Sequence, residues 1–172
     1  MAVVLLDLQK RLTPDRDRLE RHALWGLQSI RKSSADLTIV LVNDRRMRAL
    51  NATYRGKNRT TDVLSFEPGP VLPGTPARSR FFGEIVIALP RAYAQAAKLG
   101  ISFDDELSNL LIHGLCHLQG YDHEKGEQEA RDMKRAEERM ARAIRKKETD
   151  AGGSSSISGK IPETLLKGGS QN

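Results

Sequence analysis

The chain has 172 residues, 38% of them hydrophobic and 29% charged, which suits one domain with a single modest core. No apolar run approaches the roughly 20 residues that span a bilayer, and MAVVLLDLQK lacks a basic n-region and a small-residue cleavage site, so a membrane protein is excluded and a cytoplasmic one expected. The single cysteine, Cys116, excludes an internal disulfide and fits a reducing compartment. With 28 Lys and Arg against 22 Asp and Glu, the net charge of +6 and pI near 9.7 favour polyanionic partners, although many basic proteins bind no nucleic acid.

Residues 2–8 are apolar enough for a first strand. Thr13-Pro14 then reads as N-cap and first-turn proline of a helix whose apolar stripe is Leu19, Ala23, Leu27 and Ile30. His22 lies beside that stripe, where a lone histidine is expected at the surface or half-buried. LTIVLV (37–42) is the clearest buried strand, and Asn43 or Asp44 caps a short helix carrying Met47, Leu50 and Tyr54.

DVLSF (62–66) reads as a further strand. The segment 67–80 holds four of the seven prolines and is expected to be a long loop. FFGEIVIAL (81–89) resumes as a strand, and Pro90 opens a helix to about Leu99. Ser102 with Asp105 resembles a capping box, opening a helix with Leu107, Leu110, Leu111, Leu115 and Leu118 that ends near Gly120. A last helix over 125–147 presents Met133, Met140 and Ile144 on one face. Beyond it the chain is rich in Gly and Ser, so 1–148 is expected to be the domain and 149–172 a flexible tail. Early strands and late helices predict an α+β fold with a small mixed sheet.

HGLCHLQGYDH (113–123) contains three of the four histidines. On a helix, His113 and His117 lie one turn apart on one side, flanking the face of Leu107, Leu111 and Leu118. Gly120 releases the chain, and His123 can swing back. Three neutral imidazoles at about 2.0–2.1 Å suit a tetrahedral zinc with one open position, the arrangement of catalytic sites. HxxxH alone is a common helix pattern; HxxxHxxGxxH on an amphipathic helix is far more specific. Cys116 is expected to be a packed thiol, pointing away from the histidines.

The spacing is that of the metzincin peptidases, HExxHxxGxxH, with Gly114 in place of the glutamate that activates water toward a peptide carbonyl. Glycine cannot serve as a base, so a peptidase is disfavoured. Independently, Arg55, Lys57 and Arg59 form a basic run before DVLSF. A guanidinium there can hold a phosphate bidentately, although such a run is also what a solvated loop contains.

HGLCHLQGYDH, together with LNATYRGKNRTTDVLSF (50–66) and FGEIVI (82–87), resembles the YbeY family of endoribonucleases and ribosomal-RNA maturation factors, over about residues 1–147. The resemblance implies one zinc per chain held by His113, His117 and His123, with the motif on a central helix of a metzincin-like metallohydrolase fold. It implies cleavage of single-stranded RNA in 3′-end processing of small-subunit ribosomal RNA and in ribosome quality control. The partners it implies are that RNA, the ribosome, ribosomal proteins and other assembly factors. Arg55, in YRGK, matches the family's functional arginine, and His117 joins it as a catalytic candidate. The departures are small: Cys116 stands where many members have leucine, and Arg59-Thr60 where Lys-Pro is common. The general base stays open between Asp122, a water activated at the metal, and none. Asp122 is otherwise a turn residue or a partner orienting a histidine. The nucleophile is open too, between water and the ribose 2′-hydroxyl. Ser65 and Glu84 are expected either near the site or as ordinary sheet residues. A non-catalytic zinc-bearing assembly factor is the competing class.

Overall fold

The structure is a computed structural model that describes residues 2–69 and 80–152. Most of the expected proline-rich loop and nearly all of the expected tail lie outside the described residues. The elements are β1 (Val3–Asp7), α1 (Arg16–Ser29), β2 (Asp36–Val42), α2 (Asp44–Arg55), β3 (Val63–Phe66), β4 (Phe81–Ala88), α3 (Leu89–Leu99), α4 (Phe103–Leu118) and α5 (Glu127–Asp150). The strands form one sheet in the order β1-β2-β4-β3, parallel except for the antiparallel β3–β4 pair. This is the α+β fold with a small mixed sheet that the pattern of elements predicted.

The pleat decides where the cores sit. Leu37, Ile39 and Leu41 of β2, with Ile85 and Ile87 of β4, face α1, α4 and α5 and form the larger core. The intervening Val40, Val42, Val86 and Ala88 face Met47 of α2 in a smaller one. Burial on both faces explains why LTIVLV is continuously apolar rather than alternating. β1 lies at the sheet's end. Ala2 accepts from the Leu37 N–H and the Leu8 N–H donates to Leu41 O, so even-numbered residues of β1 turn their main-chain groups toward β2. The Leu5 carbonyl, facing the other way, accepts from Arg16 Nη2 at 3.2 Å.

α4 is buried along most of its length, with Leu107, Leu110, Leu111 and Leu115 each 1% exposed or less. Two glycines let it sit so deep. A Cβ on Gly114 would lie 2.9 Å from two side-chain carbons of Ile85, and a Cβ on Gly26 would lie 2.7 Å from Leu115 Cδ1. Neither distance is tolerated between carbon atoms, so α4 touches the sheet and α1 through bare backbone.

Several local expectations are corrected. α1 is capped by Asp15, whose side chain accepts from the Arg18 N–H, and not by Thr13 with Pro14 at the first turn. A carboxylate is a strong acceptor for the first-turn amides and also suits the helix dipole. Ser102 caps α4 by accepting from the Asp105 N–H at 3.0 Å, but the Asp105 carboxylate takes Arg18 Nη2 at 2.9 Å instead of closing a capping box. α5 spans Glu127–Asp150, starting and ending slightly later than the expected 125–147.

His22 is the largest correction. It is fully buried, with Nδ1 2.8 Å from Ser108 Oγ and Nε2 3.2 Å from Glu148 Oε1. Arg18 Nε donates to the same Glu148 oxygen at 2.8 Å. The network ties α1 to α4 and to the end of α5, through partners that lie 86 and 126 residues from His22.

Burial holds the His22 imidazole below its usual range against the opposing pull of Glu148. Burial pushes the Glu148 carboxyl up, but Arg18 and His22 outweigh it and the net shift is downward. In both cases the unfolded chain takes up protons at higher pH than the folded one. The network's contribution is therefore present near neutral pH and fades as pH falls through the histidine range and then the carboxylate range. Replacing Glu148 by alanine removes the acceptor that Arg18 and His22 share and leaves them Asp105 and Ser108 alone, at an expected cost of about 2 kcal/mol, within the range for hydrogen bonds to charged groups. Urea denaturation at pH 7 measures it; a loss below about 0.5 kcal/mol, the scale of ordinary surface changes, refutes the network's role.

Candidate metal centre and its cleft

The helical part of the motif places His113 and His117 one turn apart on α4, with ring centroids 4.6 Å from each other. Gln119 caps the helix and Gly120 follows with a φ of +90°, a left-handed conformation that favours glycine. Asp122 Oδ1 then accepts the Glu124 N–H at 3.0 Å, closing a turn around His123. That turn returns the third ring to 5.3 Å from each of the other two.

One nitrogen from each histidine lies within 4.8 Å of the others. The Nε2 atoms of His113 and His117 are 3.0 Å apart, close to the roughly 3.3 Å that separates two ligands on one tetrahedral ion at about 2.05 Å. Nδ1 of His123 is buried and has no hydrogen-bond partner among the described residues. Burial, then His113 and His123, pushes the His117 imidazole down to about 4, so it is neutral near pH 7 and keeps a lone pair to share. Three converging imidazoles, one with an orphaned buried nitrogen, are a donor set that fits a divalent transition metal.

The carboxylate that completes this arrangement is Glu137 of α5. His113 Nδ1–H donates to its Oε1 at 2.7 Å, which fixes the tautomer and leaves Nε2 for a metal. Glu137 was missed in the sequence, yet a signal exists. It sits on the apolar face of α5 with Met133, Met140 and Ile144, where a charged residue is out of place unless something meets it. Glu137→Gln is expected to weaken metal binding about 10- to 100-fold. Titration against a competing chelator would show this, and an unchanged affinity would make Glu137 a mere packing partner.

The triad opens into a cleft of about 690 Å³ lined also by Arg55, Lys57 and Arg59. Arg55 is the last residue of α2, and Gly56, left-handed at φ +66°, turns the basic run aside there. The exposed Arg55 guanidinium donates through Nη2 to Ser65 O at 3.4 Å, and Ser65 Oγ donates to Gly114 O at 3.3 Å. Thus α2, β3 and α4 bring Arg55 and the histidines to one cavity although they stand far apart along the chain. Ser65 lines the cleft, whereas Glu84 is not among its lining residues. Asp122 is both a turn residue and part of the lining. Cys116 is fully buried in the larger core with its thiol pushed up to about 12 by burial, so it is the packed thiol expected.

Fold and site together define an α+β protein with a three-histidine metal-site candidate in a cleft that Arg55, Lys57 and Arg59 also line. The family model described as Endoribonuclease YbeY matches residues 9–145, and the chain belongs to that family. It is 37% identical over 134 residues to Endoribonuclease YbeY of Aquifex aeolicus (strain VF5), covering 78% of this chain and 86% of that one. With the Endoribonuclease YbeY of Desulforamulus reducens it shares 37% identity over 149 residues, 80% of this chain and 94% of the relative. The solution structure of TM1509 from Thermotoga maritima has the same fold, with a TM-score of 0.58 at 24% identity over 92% of this chain and 99% of that one. No helix among the described residues is long and apolar enough to cross a membrane.

Proposed function

We propose that the chain is a zinc-dependent endoribonuclease that cleaves single-stranded RNA, acting in 3′-end maturation of small-subunit ribosomal RNA and in ribosome quality control in the cytoplasm. The observation that carries this reading is the convergence of three histidine nitrogens in a cleft that Arg55, Lys57 and Arg59 also line. His113, His117 and His123 would hold one zinc. When bound, that ion supplies a Lewis acid for phosphoryl oxygen and lowers the pKa of water.

The rest follows from the chain's own groups. Arg55 holds a phosphate through its planar fork and steadies the charge that develops on the phosphoryl oxygens during strand cleavage. Lys57 and Arg59 draw the backbone of the RNA to the cleft by neutralising neighbouring phosphates. Glu137 keeps the proton on His113 Nδ1 and the ring in place. A domain over residues 1–148 belongs to the same proposal, and α5 itself runs on to Asp150. RNA of the small subunit, the ribosome, its proteins and other assembly factors are the proposed partners.

The test compares the zinc-loaded chain with His117→Ala on precursor small-subunit RNA. Wild type is expected to cleave, and the variant to lose both bound zinc and cleavage. RNA binding by wild type without cleavage would replace the nuclease by a zinc-bearing binding factor.

A further inference from the structure

Glu106 is a buried acid that the cleavage chemistry above does not use. It lies on the same stripe of α4 as His113 and His117, two helical turns before His113, or about 10 Å along the axis. It is 3% exposed and lines the cleft that holds the triad. Asn109 Nδ2 donates to its Oε2 at 3.2 Å, and no other described residue hydrogen-bonds to the carboxyl or pairs with it as a cation. A buried carboxyl facing a cavity with a single donor is undersatisfied, because it can accept about four hydrogen bonds.

Beside it stand further acceptors, and Arg91 and Lys98 of α3 line the same cleft. Gln95 Nε2 donates to Asp62 Oδ2 at 3.0 Å, which fixes the amide so that Oε1 is the free end. That Oε1 is buried without a partner among the described residues. Asp62 is near enough to Glu106 to raise its pKa, although burial is the larger cause, and together they bring it to about 7. Val63 and Leu99 add apolar surface to this part of the cleft.

Arg55, Arg91 and Lys98 of the lining are suited to phosphates, but the two free acceptors themselves are not, because a phosphate offers them no donor. Two helical turns from the triad, they are also too far for the ribose of a nucleotide whose phosphate sits at the histidines. A base reaches that far. We infer that the Glu106 end of the cleft is a base-reading subsite, where Glu106 and Gln95 accept hydrogen bonds from the exocyclic amine of adenine, cytosine or guanine. Uracil offers a single ring N3–H between two carbonyls, so it can meet one acceptor at most while its carbonyl oxygens face the other, and it is disfavoured. The inference rests on the ribonuclease reading for its substrate class and adds what part of the substrate this pocket selects.

The test is equilibrium binding of the zinc-loaded full chain, by fluorescence anisotropy, to five-nucleotide oligodeoxycytidylate, oligodeoxyadenylate and oligodeoxyuridylate. Deoxy-oligomers lack the 2′-hydroxyl, so a preference among them reports on bases alone. The cytosine and adenine oligomers are expected to bind about tenfold tighter than the uracil oligomer, within the discrimination typical of specific hydrogen bonds to a base edge. Glu106→Gln, which places an amide donor in the subsite, is expected to cut that ratio to about threefold or less. Gln95→Leu, which removes the other acceptor, is expected to act in the same direction, and its melting temperature shows that it folds.

Equal affinities for the three oligomers in wild type overturn the inference whatever the variants do. So does a tenfold ratio that survives in both folded variants. If Glu106→Gln changes only the preference for ribo- over deoxy-oligomers, the carboxyl reads the sugar and the base subsite is refuted. Base preference without RNA cleavage leaves the inference standing and removes the nuclease reading; cleavage without base preference does the reverse. Failure to bind any oligomer sinks the inference and leaves the nuclease reading to the cleavage test.

Discussion

Replacing Arg55 by alanine is expected to slow RNA cleavage by about 10²- to 10³-fold, the loss typical when one preorganised donor to a developing charge is removed. Bound zinc and melting temperature should stay at wild-type values. The guanidinium is exposed and its hydrogen bond among the described residues is a 3.4 Å one to Ser65 O, so its removal should cost no more than about 0.5 kcal/mol of stability. Arg55→Lys should recover little, because an ammonium lacks the planar fork that grips two phosphate oxygens at once. Cleavage at the wild-type rate by Arg55→Ala would end the phosphate-holding role. A fall in melting temperature of ten degrees would instead make Arg55 a structural link between α2 and β3.

The second large effect concerns Gly114, the position at which the peptidase pattern has glutamate. Gly114→Glu restores that pattern in sequence, yet it is expected to destabilise the protein severely and to yield no peptidase. A Cβ at this position already meets Ile85 at 2.9 Å, before any carboxylate is added. Overpacking costs about 1–3 kcal/mol, and an unpaired carboxylate pressed into the core adds several more. Such a sum approaches the whole stability of an ordinary domain, about 5–15 kcal/mol. Gly114→Ala, which adds the Cβ alone, should lose only the overpacking term. Urea denaturation of the two variants against wild type checks both figures. A Gly114→Glu protein as stable as wild type would mean that α4 can lift from β4 at no cost.

Those two positions also show what the sequence could disclose. The histidine triad was legible because its spacing encodes geometry: one helical turn between the first two histidines, then a glycine to leave the helix, then a short return to the third. Gly114 was legible only as a missing base. That it is also the point where α4 meets the sheet depends on Ile85, in a strand well before it in the chain, and on a register no local pattern states. The strands and helices were largely legible from apolar periodicity, whereas the start of α1 was misplaced because Thr13-Pro14 and Asp15 both carry capping chemistry.

His22 was misread for a different reason. Its burial depends on Ser108 and Glu148, which meet it only after α1, α4 and α5 have packed. Glu137 and Glu148 left a fainter trace, as acids set on the apolar face of a helix that reads as merely amphipathic when charges are counted and not placed. Glu106 left none, since an acid in the first turn of α4 is accounted for by the helix dipole.

β1 ends the sheet with one side of its backbone facing no other described strand, and Val4, Leu6 and Leu8 are 43–46% exposed along it. An apolar strand in that position is a template on which the strand of another molecule can add, the usual first step of ordered aggregation. Arg16 stands in the way. Its guanidinium occupies the outward Leu5 carbonyl and would have to be stripped of that bond and buried before a foreign strand could pair there. Pairing of a foreign strand at this edge is thus opposed by a cation whose hydrogen bond within the fold is to the very carbonyl such a strand would need.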